Sequence, residues 1–241
     1  GTIGTTRAET GHPVGQIFGY VHDRLFTEDD FVDVEKGTLK EGIPTQSFTA
    51  KVRPGDIKYV DLDQNGIIDT YDQMAIGGTV NPEIVYGFGV NLRWKELDFG
   101  AMFQGIGRTW RILSSNIMPA SNKGSMFNIF DNYQDRWTVD NQRQDVFYPR
   151  ADYGPNANNS QKSTWWLRNM SFLRLKNVEL GYSCPKKWLQ GFVISNARVF
   201  VRGTNLLTFS KFKLWDPELD TGDGAKYPAM KSLSVGFDIT F

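Results

Sequence analysis

Long segments in which apolar and polar residues alternate, with glycine gathered on the polar side, constrain this chain more than any other feature. From Ile84 to Trp94 one face reads Ile84, Tyr86, Phe88, Val90, Leu92, Trp94, and the other Val85, Gly87, Gly89, Asn91, Arg93. Lys95 and Glu96 make a tight polar turn, after which Leu97, Phe99, Ala101 and Phe103 stand against Asp98, Gly100, Met102 and Gln104. A period of two belongs to extended backbone, so two such runs joined by two residues predict a β-hairpin with one greasy face and one polar, glycine-rich face. The pattern returns less cleanly at 198–203, and the chain ends with Leu233, Val235, Phe237, Ile239 and Phe241 against Ser234, Gly236, Asp238 and Thr240. Between Phe172 and Tyr182 the alternation slips phase near Asn177, where a β-bulge restores it. A further candidate strand runs from Val14 to Phe26, with Ile17 and Val21 opposite Gln16, Phe18 and Tyr20. Helical spacing is scarce, so the expected class is all-β.

Composition removes several functions. The 27 basic and 27 acidic residues cancel, which leaves no electrostatic footprint for nucleic acid. A 14% aromatic share and evenly mixed charge are unlike disorder. The single Cys184 excludes an internal disulfide framework, and the two histidines, His12 and His22, leave little material for a His-rich zinc site or a His-based triad. No apolar run is long enough for a transmembrane helix, and no signal peptide opens the chain. Because the first residue is Gly1, the expectation is that a leader has been removed or that the chain is a piece of something longer.

Between the candidate strands lie long polar stretches at 27–55, 105–164 and 210–231, alternating with short connections at Lys95–Glu96 and 185–196. Loops this long are unusual in a compact domain. Short turns at one end and long loops at the other are the expected asymmetry of an outer-membrane β-barrel. A soluble β-sandwich also alternates, and alternation alone leaves both architectures open.

The chain terminus and several internal stretches carry a more specific likeness. Ser234, Gly236, Ile239 and Phe241 lie in a final strand with an apolar stripe and a terminal aromatic, which resembles the assembly signal that bacterial outer-membrane barrels present to their insertion machinery. Five further segments, 11–21 (GHPVGQIFGYV), 55–61 (GDIKYVD), 171–182 (SFLRLKNVELGY), 198–208 (RVFVRGTNLLT) and 215–218 (WDPE), occur in an order that resembles the C-terminal part of a SusC/RagA-type TonB-dependent transporter of Bacteroidetes. The likeness covers nearly the whole of 1–241. It implies an antiparallel transmembrane barrel of about 22 strands, lying in outer-membrane lipid at the bacterial outer membrane, with an N-terminal plug and a lipoprotein lid of SusD type. It also implies TonB as energy-coupling partner, acting through a missing N-terminal portion, and glycans or peptides as substrate. Only about six long alternating segments, or eight with weaker ones, are legible; no plug is present, so the remaining barrel strands would have to come from elsewhere. The alternative is a secreted, calcium-stabilised β-sandwich that binds carbohydrate.

The sharpest local motif spans 61–72. Asp61, Asp63, Asn65, Asp69 and Asp72 fall at positions one, three, five, nine and twelve of an EF-hand loop, Gly66 takes the sixth for the sharp turn, and Ile67 can offer its backbone carbonyl at the seventh. The expected occupant is a structural calcium ion. Asp72 in place of the usual glutamate shortens the reach at position twelve. Leu62 and Ile68 are expected to seat the loop on an apolar base, with at most a short helical turn through 73–76 after it. The bland reading is an acidic, Asx-rich turn without metal.

Trp110, Trp165, Trp166 and Trp215 lie in or beside the polar loops and are candidates for stacking on substrate sugar rings. Competing readings are a membrane-interface girdle, for Trp94, Trp165, Trp166 and Trp188, or plain loop packing. Asp216 and Glu218 are spaced like a hydrolytic carboxylate pair, but their surroundings offer nothing to raise one pKa. No catalytic constellation emerges, and the chain is not expected to be an enzyme.

Overall fold

The computed structural model describes residues 2–3, 6–7, 9–114, 130–152, 156–191 and 193–241. Part of the long polar stretch predicted at 105–164 therefore lies outside the described residues. Two compact units are present: Gly1–Val80 with Trp110–Arg168, and Asn81–Thr109 with Asn169–Phe241.

The second unit is one antiparallel sheet of five long strands in sequence order: β1 (Ile84–Trp94), β2 (Leu97–Gly107), β3 (Phe172–Ser183), β4 (Asn196–Ser210) and β5 (Ser232–Thr240). The predicted hairpin is present. Ile84 to Trp94 pair residue for residue with Gly107 to Leu97, and Lys95 takes a left-handed φ of 55° in the two-residue turn, which suits the right-handed twist of the flanking strands. The bulge is present too: Met102 pairs with Asn177 but Phe103 with Leu175, so Lys176 is the extra residue. The register toward β4 shifts at the same place, between Leu175 and Asn177.

Directly paired residues point to the same face, so register decides whether the separate stripes join. They do. Leu92, Phe99, Leu180, Val201 and Val235 form one cross-strand row; Trp94, Leu97, Tyr182, Val199 and Phe237 form the next. Phe88 and Phe103 stack with ring centroids 5.0 Å apart. This five-strand apolar face is open: Phe88 is 56% exposed, Leu92 60% and Phe237 73%. Contiguous apolar surface of that extent is foreign to a soluble monomer and normal for a barrel wall in lipid. Among the described residues, β1 and β5 each lack a partner on their outer edge, and the sheet does not close.

The first unit is built from short strands with a buried core. Gln16–Gly19 pairs with Met74–Thr79, and His22–Leu25 with Ile57–Tyr59. The candidate strand at 14–26 is thus two short strands, and all four residues of Gln16–Gly19 are buried, so the period-two reading of that segment is corrected. Phe26, Phe31 and Val52 pack together with Leu39 and Ile43 against them, and the Tyr20 ring packs against Phe48 and Tyr59. Arg24 grips the buried Asp30 with two nitrogens at 2.5 and 2.6 Å. Asp56 accepts hydrogen bonds from Arg53 N, Arg150, Asn156 and Asn159. Exposed apolar residues here, such as Val14 and Val139, are scattered singly. Among the described residues no helix is long and apolar enough to cross a membrane, which says nothing of strands.

Candidate functional site

On the polar face of the sheet, Arg198 on β4 is the hub of an ion network. Its guanidinium meets Asp98 on β2 at 2.5 Å, Glu179 on β3 at 2.6 Å and Asp238 on β5 at 3.4 Å, while Arg202 reaches the other oxygen of Glu179 at 2.6 Å. Three carboxylates and two guanidinium groups thereby tie four adjacent strands. The Arg198–Asp98 pair bridges over β3, and Gly181 is what lets it: a Cβ there would lie 2.4 Å from an Arg198 nitrogen and 2.6 Å from both Asp98 oxygens. Gly236 does the same for Phe200, whose ring would sit 2.5 Å from a Cβ. That ring is held between Arg198 and Arg202, at 5.0 and 5.2 Å. The alternation placed these charges on one face, but the network itself could not be read from sequence, because it depends on inter-strand register.

The residues likened above to an assembly signal fall as the alternation implies. Ser234 and Gly236 pair with Arg202 and Phe200 on the polar face, Ile239 pairs with Ala197 on the apolar face, and Phe241 follows the end of β5, 80% exposed. Asp216 and Glu218 are engaged by ion pairs to Arg174, so the spacing reflects charge pairing.

In the acidic loop, one oxygen from each of Asp61, Asp63 and Asp72 lies within 4.8 Å of the others. The turn is built by the loop itself: Gly66 has φ 84°, its N–H donates to Asp61 at 2.8 Å, and the Ile67 N–H donates to Asn65 Oδ1 at 2.7 Å. Asp72 is fully buried, its two oxygens accepting from Leu62 N and Asp69 N. Asp69 accepts from Tyr71 N and caps the short 3-10 turn Thr70–Asp72. After that turn the chain enters the strand Met74–Thr79, so the helical turn expected at 73–76 is replaced by a sheet pairing. Ile68 is fully buried beneath the loop while Leu62 is 41% exposed, so the apolar base is one-sided. Desolvation, with the Asp61 and Asp72 charges close by, pushes the Asp63 carboxyl above its usual value. For Asp61, desolvation is outweighed by backbone donors from Gly66 and Gln64, with Asp63 and Asn65 adding to them, and its carboxyl is held low. Among the described residues, Asp61 Oδ1 is buried with no hydrogen-bond partner. A hard divalent cation is the species such an oxygen set fits.

Of the four tryptophans proposed for sugar stacking, two are structural. Trp166 is 1% exposed and donates to Asn159 O at 2.7 Å; Trp165 is buried, donates to Phe147 O and meets His22 edge-on. Neither offers a free ring face, and neither belongs to a girdle. Trp110 is half-buried beside Gly77, and Trp215 is half-buried against Phe212 and Gly224. Trp94 and Trp188 remain well exposed.

No family model matches the chain. It is 32% identical over 202 residues to TonB-dependent receptor P26 of Formosa agariphila, a match covering 78% of this chain and 20% of that protein. TonB-dependent receptor SusC of Bacteroides thetaiotaomicron is 24% identical over 200 residues, covering 81% of this chain and 19% of SusC. Among solved structures, the RagAB peptide transporter superposes with a TM-score of 0.65 at 26% identity, over 94% of this chain and 22% of that one. The chain thus spans about a fifth of the length of the curated relatives it matches. With an open antiparallel wall, apolar on one face and polar on the other, the chain fits the C-terminal part of a SusC/RagA-type TonB-dependent transporter.

Proposed function

We propose that the chain supplies part of the wall of an outer-membrane active transporter that imports glycans or peptides. The observation that carries this reading is the pairing of an exposed apolar face with a charged, glycine-rich face across all five long strands. In lipid the apolar face meets hydrocarbon, and the polar face lines a wet lumen. The unpaired edges of β1 and β5 have to be satisfied there by further strands, since an unpartnered backbone group in hydrocarbon costs several kcal/mol. Substrate passes through that lumen when TonB pulls on a plug supplied by the missing N-terminal portion, and a SusD-like lipoprotein closes over the external loops. The RagAB neighbour, named as a peptide transporter, supports the import reading and the two-component assembly. The competing sandwich needs a second sheet over the apolar face, and among the described residues nothing covers it. Fractionation tests the reading: the full transporter should be found in the outer membrane and require detergent for release, and recovery as a soluble monomer would refute it.

The acidic loop is the second element of the proposal. Asp61, Asp63 and Asp72 hold a calcium ion, with Asn65, the Ile67 carbonyl and Asp69 completing the set as the loop pattern implies. The buried, unpartnered Asp61 oxygen supports this. The ion neutralises mutually repelling carboxylates and stiffens the loop, with no part in any chemistry.

A further inference from the structure

Arg174 stands on the polar face of β3, in register with Gln104 and Thr208, yet it is 1% exposed. Two carboxylates of the β4–β5 connection close over it: Asp216, and Glu218 at 3.0 Å. Lys176, the bulged residue, adds a contact to Glu218 at 3.3 Å. The connection therefore does not rise away from the strand ends. It folds back across the polar face.

The segment is organised for that course. Ser210 Oγ donates to Ser171 O at 2.8 Å and accepts from Phe212 N at 3.1 Å, which turns the chain as it leaves β4. Phe212 is buried and meets the Trp215 ring edge-on, and Trp215 packs on Gly224, whose φ of 71° bends the return limb. Asp216 caps the 3-10 turn Pro217–Leu219 while pairing with Arg174. At the far end Asn205 Nδ2 donates to Met230 O at 3.0 Å. Both limbs are thus tied to the strands, and the charge-assisted contacts to Arg174 are the strongest of the ties.

We propose that residues 211–231 form an inward-folded strap that narrows the lumen, with Arg174 as the positioning residue that pins it. This rests on the polar face being the lumen wall. Flexible loops are satisfied by water at little cost, whereas a buried guanidinium requires its carboxylates. The Arg174 latch therefore makes the inward course the favoured one, and the strap, not the strand lattice alone, sets the clearance for substrate.

The test uses the full transporter in the outer membrane, with every native cysteine, Cys184 included, replaced by serine and Thr208→Cys placing a reporter on the polar face beside Arg174, challenged by a charged, membrane-impermeant maleimide. Slow labelling is expected in the parent. Labelling about tenfold faster is expected for Arg174→Gln and for Asp216→Asn, because either substitution raises the population of the open strap. The double variant should be no faster than the quicker single, since both act on one latch. Equal rates in all backgrounds would overturn the strap, as would acceleration by Arg174→Gln with none from Asp216→Asn. Leu207→Cys on the apolar face, in the same background, separates this from failure of the barrel reading. In lipid it should resist the reagent in every background, and rapid labelling there would indict the wall assignment instead. Asp216→Asn alters a partly exposed loop carboxylate, so it keeps the test decisive even if Arg174→Gln fails to assemble.

Discussion

Gly236 shows how a single residue on the wall can be committed by its neighbour. The Phe200 ring occupies the volume a side chain would need there, and the two arginines flanking it prevent an easy retreat. Gly236→Val should destabilise the assembled transporter by about 1–3 kcal/mol through overpacking, read as a lower denaturant midpoint in detergent; an unchanged midpoint would show that Phe200 is free to move. The acidic loop offers a test of the same size. Asp61→Asn keeps the shape of the side chain but removes the charge of a buried oxygen, so calcium-dependent protection of the loop from protease should disappear. If the parent protein shows no such protection at about millimolar calcium, the upper end for extracellular sites, the metal reading fails. His22 gives the first unit a pH dependence. Burial, reinforced by Arg168 and only partly opposed by Asp23, lowers its pKa, and its ring is hydrogen-bonded to Thr164 at 2.6 Å. The unfolded chain then binds the proton more readily, so the stability contributed by the neutral ring is complete above about pH 6.5 and is lost as pH falls through the lowered value. Protection of amides around Trp165 from hydrogen exchange, taken relative to the intrinsic rate at each pH, should fall on acidification in the parent and not in His22→Gln.

Among elements, the β1–β2 hairpin was the most legible, and the reason is locality. Alternation and a two-residue turn lie within one stretch of chain, and a bulge announces itself as a slip of phase. The segment 14–26 misled because its strands are short, and Gln16–Gly19 is buried on both faces, paired with Met74–Thr79; a fully buried strand carries no alternation. The ion network and the Arg174 latch were invisible for a different reason, since both join residues whose proximity comes only from strand register and from the fold of a distant loop. For the hairpin itself, Phe88→Arg should cost roughly 2–4 kcal/mol in lipid, while Asn91→Ser on the opposite face should be mild. Gly89 is a poor control, because a Cβ there would meet the Ala101 carbonyl at 3.0 Å. Equal sensitivity at positions 88 and 91 in a lipid folding assay would contradict the assignment of faces.

The whole molecule divides its physics between two units. The first has a conventional core of buried apolar and aromatic side chains stitched by paired charges; the second inverts that arrangement, with its apolar residues outside and its charges and glycines on the other face of the sheet. Composition averaged over the chain hid this contrast, since zero net charge and moderate hydrophobicity describe neither unit. On the proposed function the five-strand sheet stands in a bilayer, with β1 facing lipid on one side and water on the other. Nitroxide scanning from Ile84 to Trp94 in the full transporter, reconstituted in lipid and leaving out Gly87 and Gly89, where a side chain would crowd the neighbouring carbonyls, puts this to the test. Accessibility to oxygen should peak at Phe88, Val90 and Leu92, and accessibility to a water-soluble relaxant at Val85, Asn91 and Arg93, with the two profiles oscillating out of phase at a period of two. Profiles in phase, or an apolar face shielded from both reagents as it would be under a second sheet, would contradict the account.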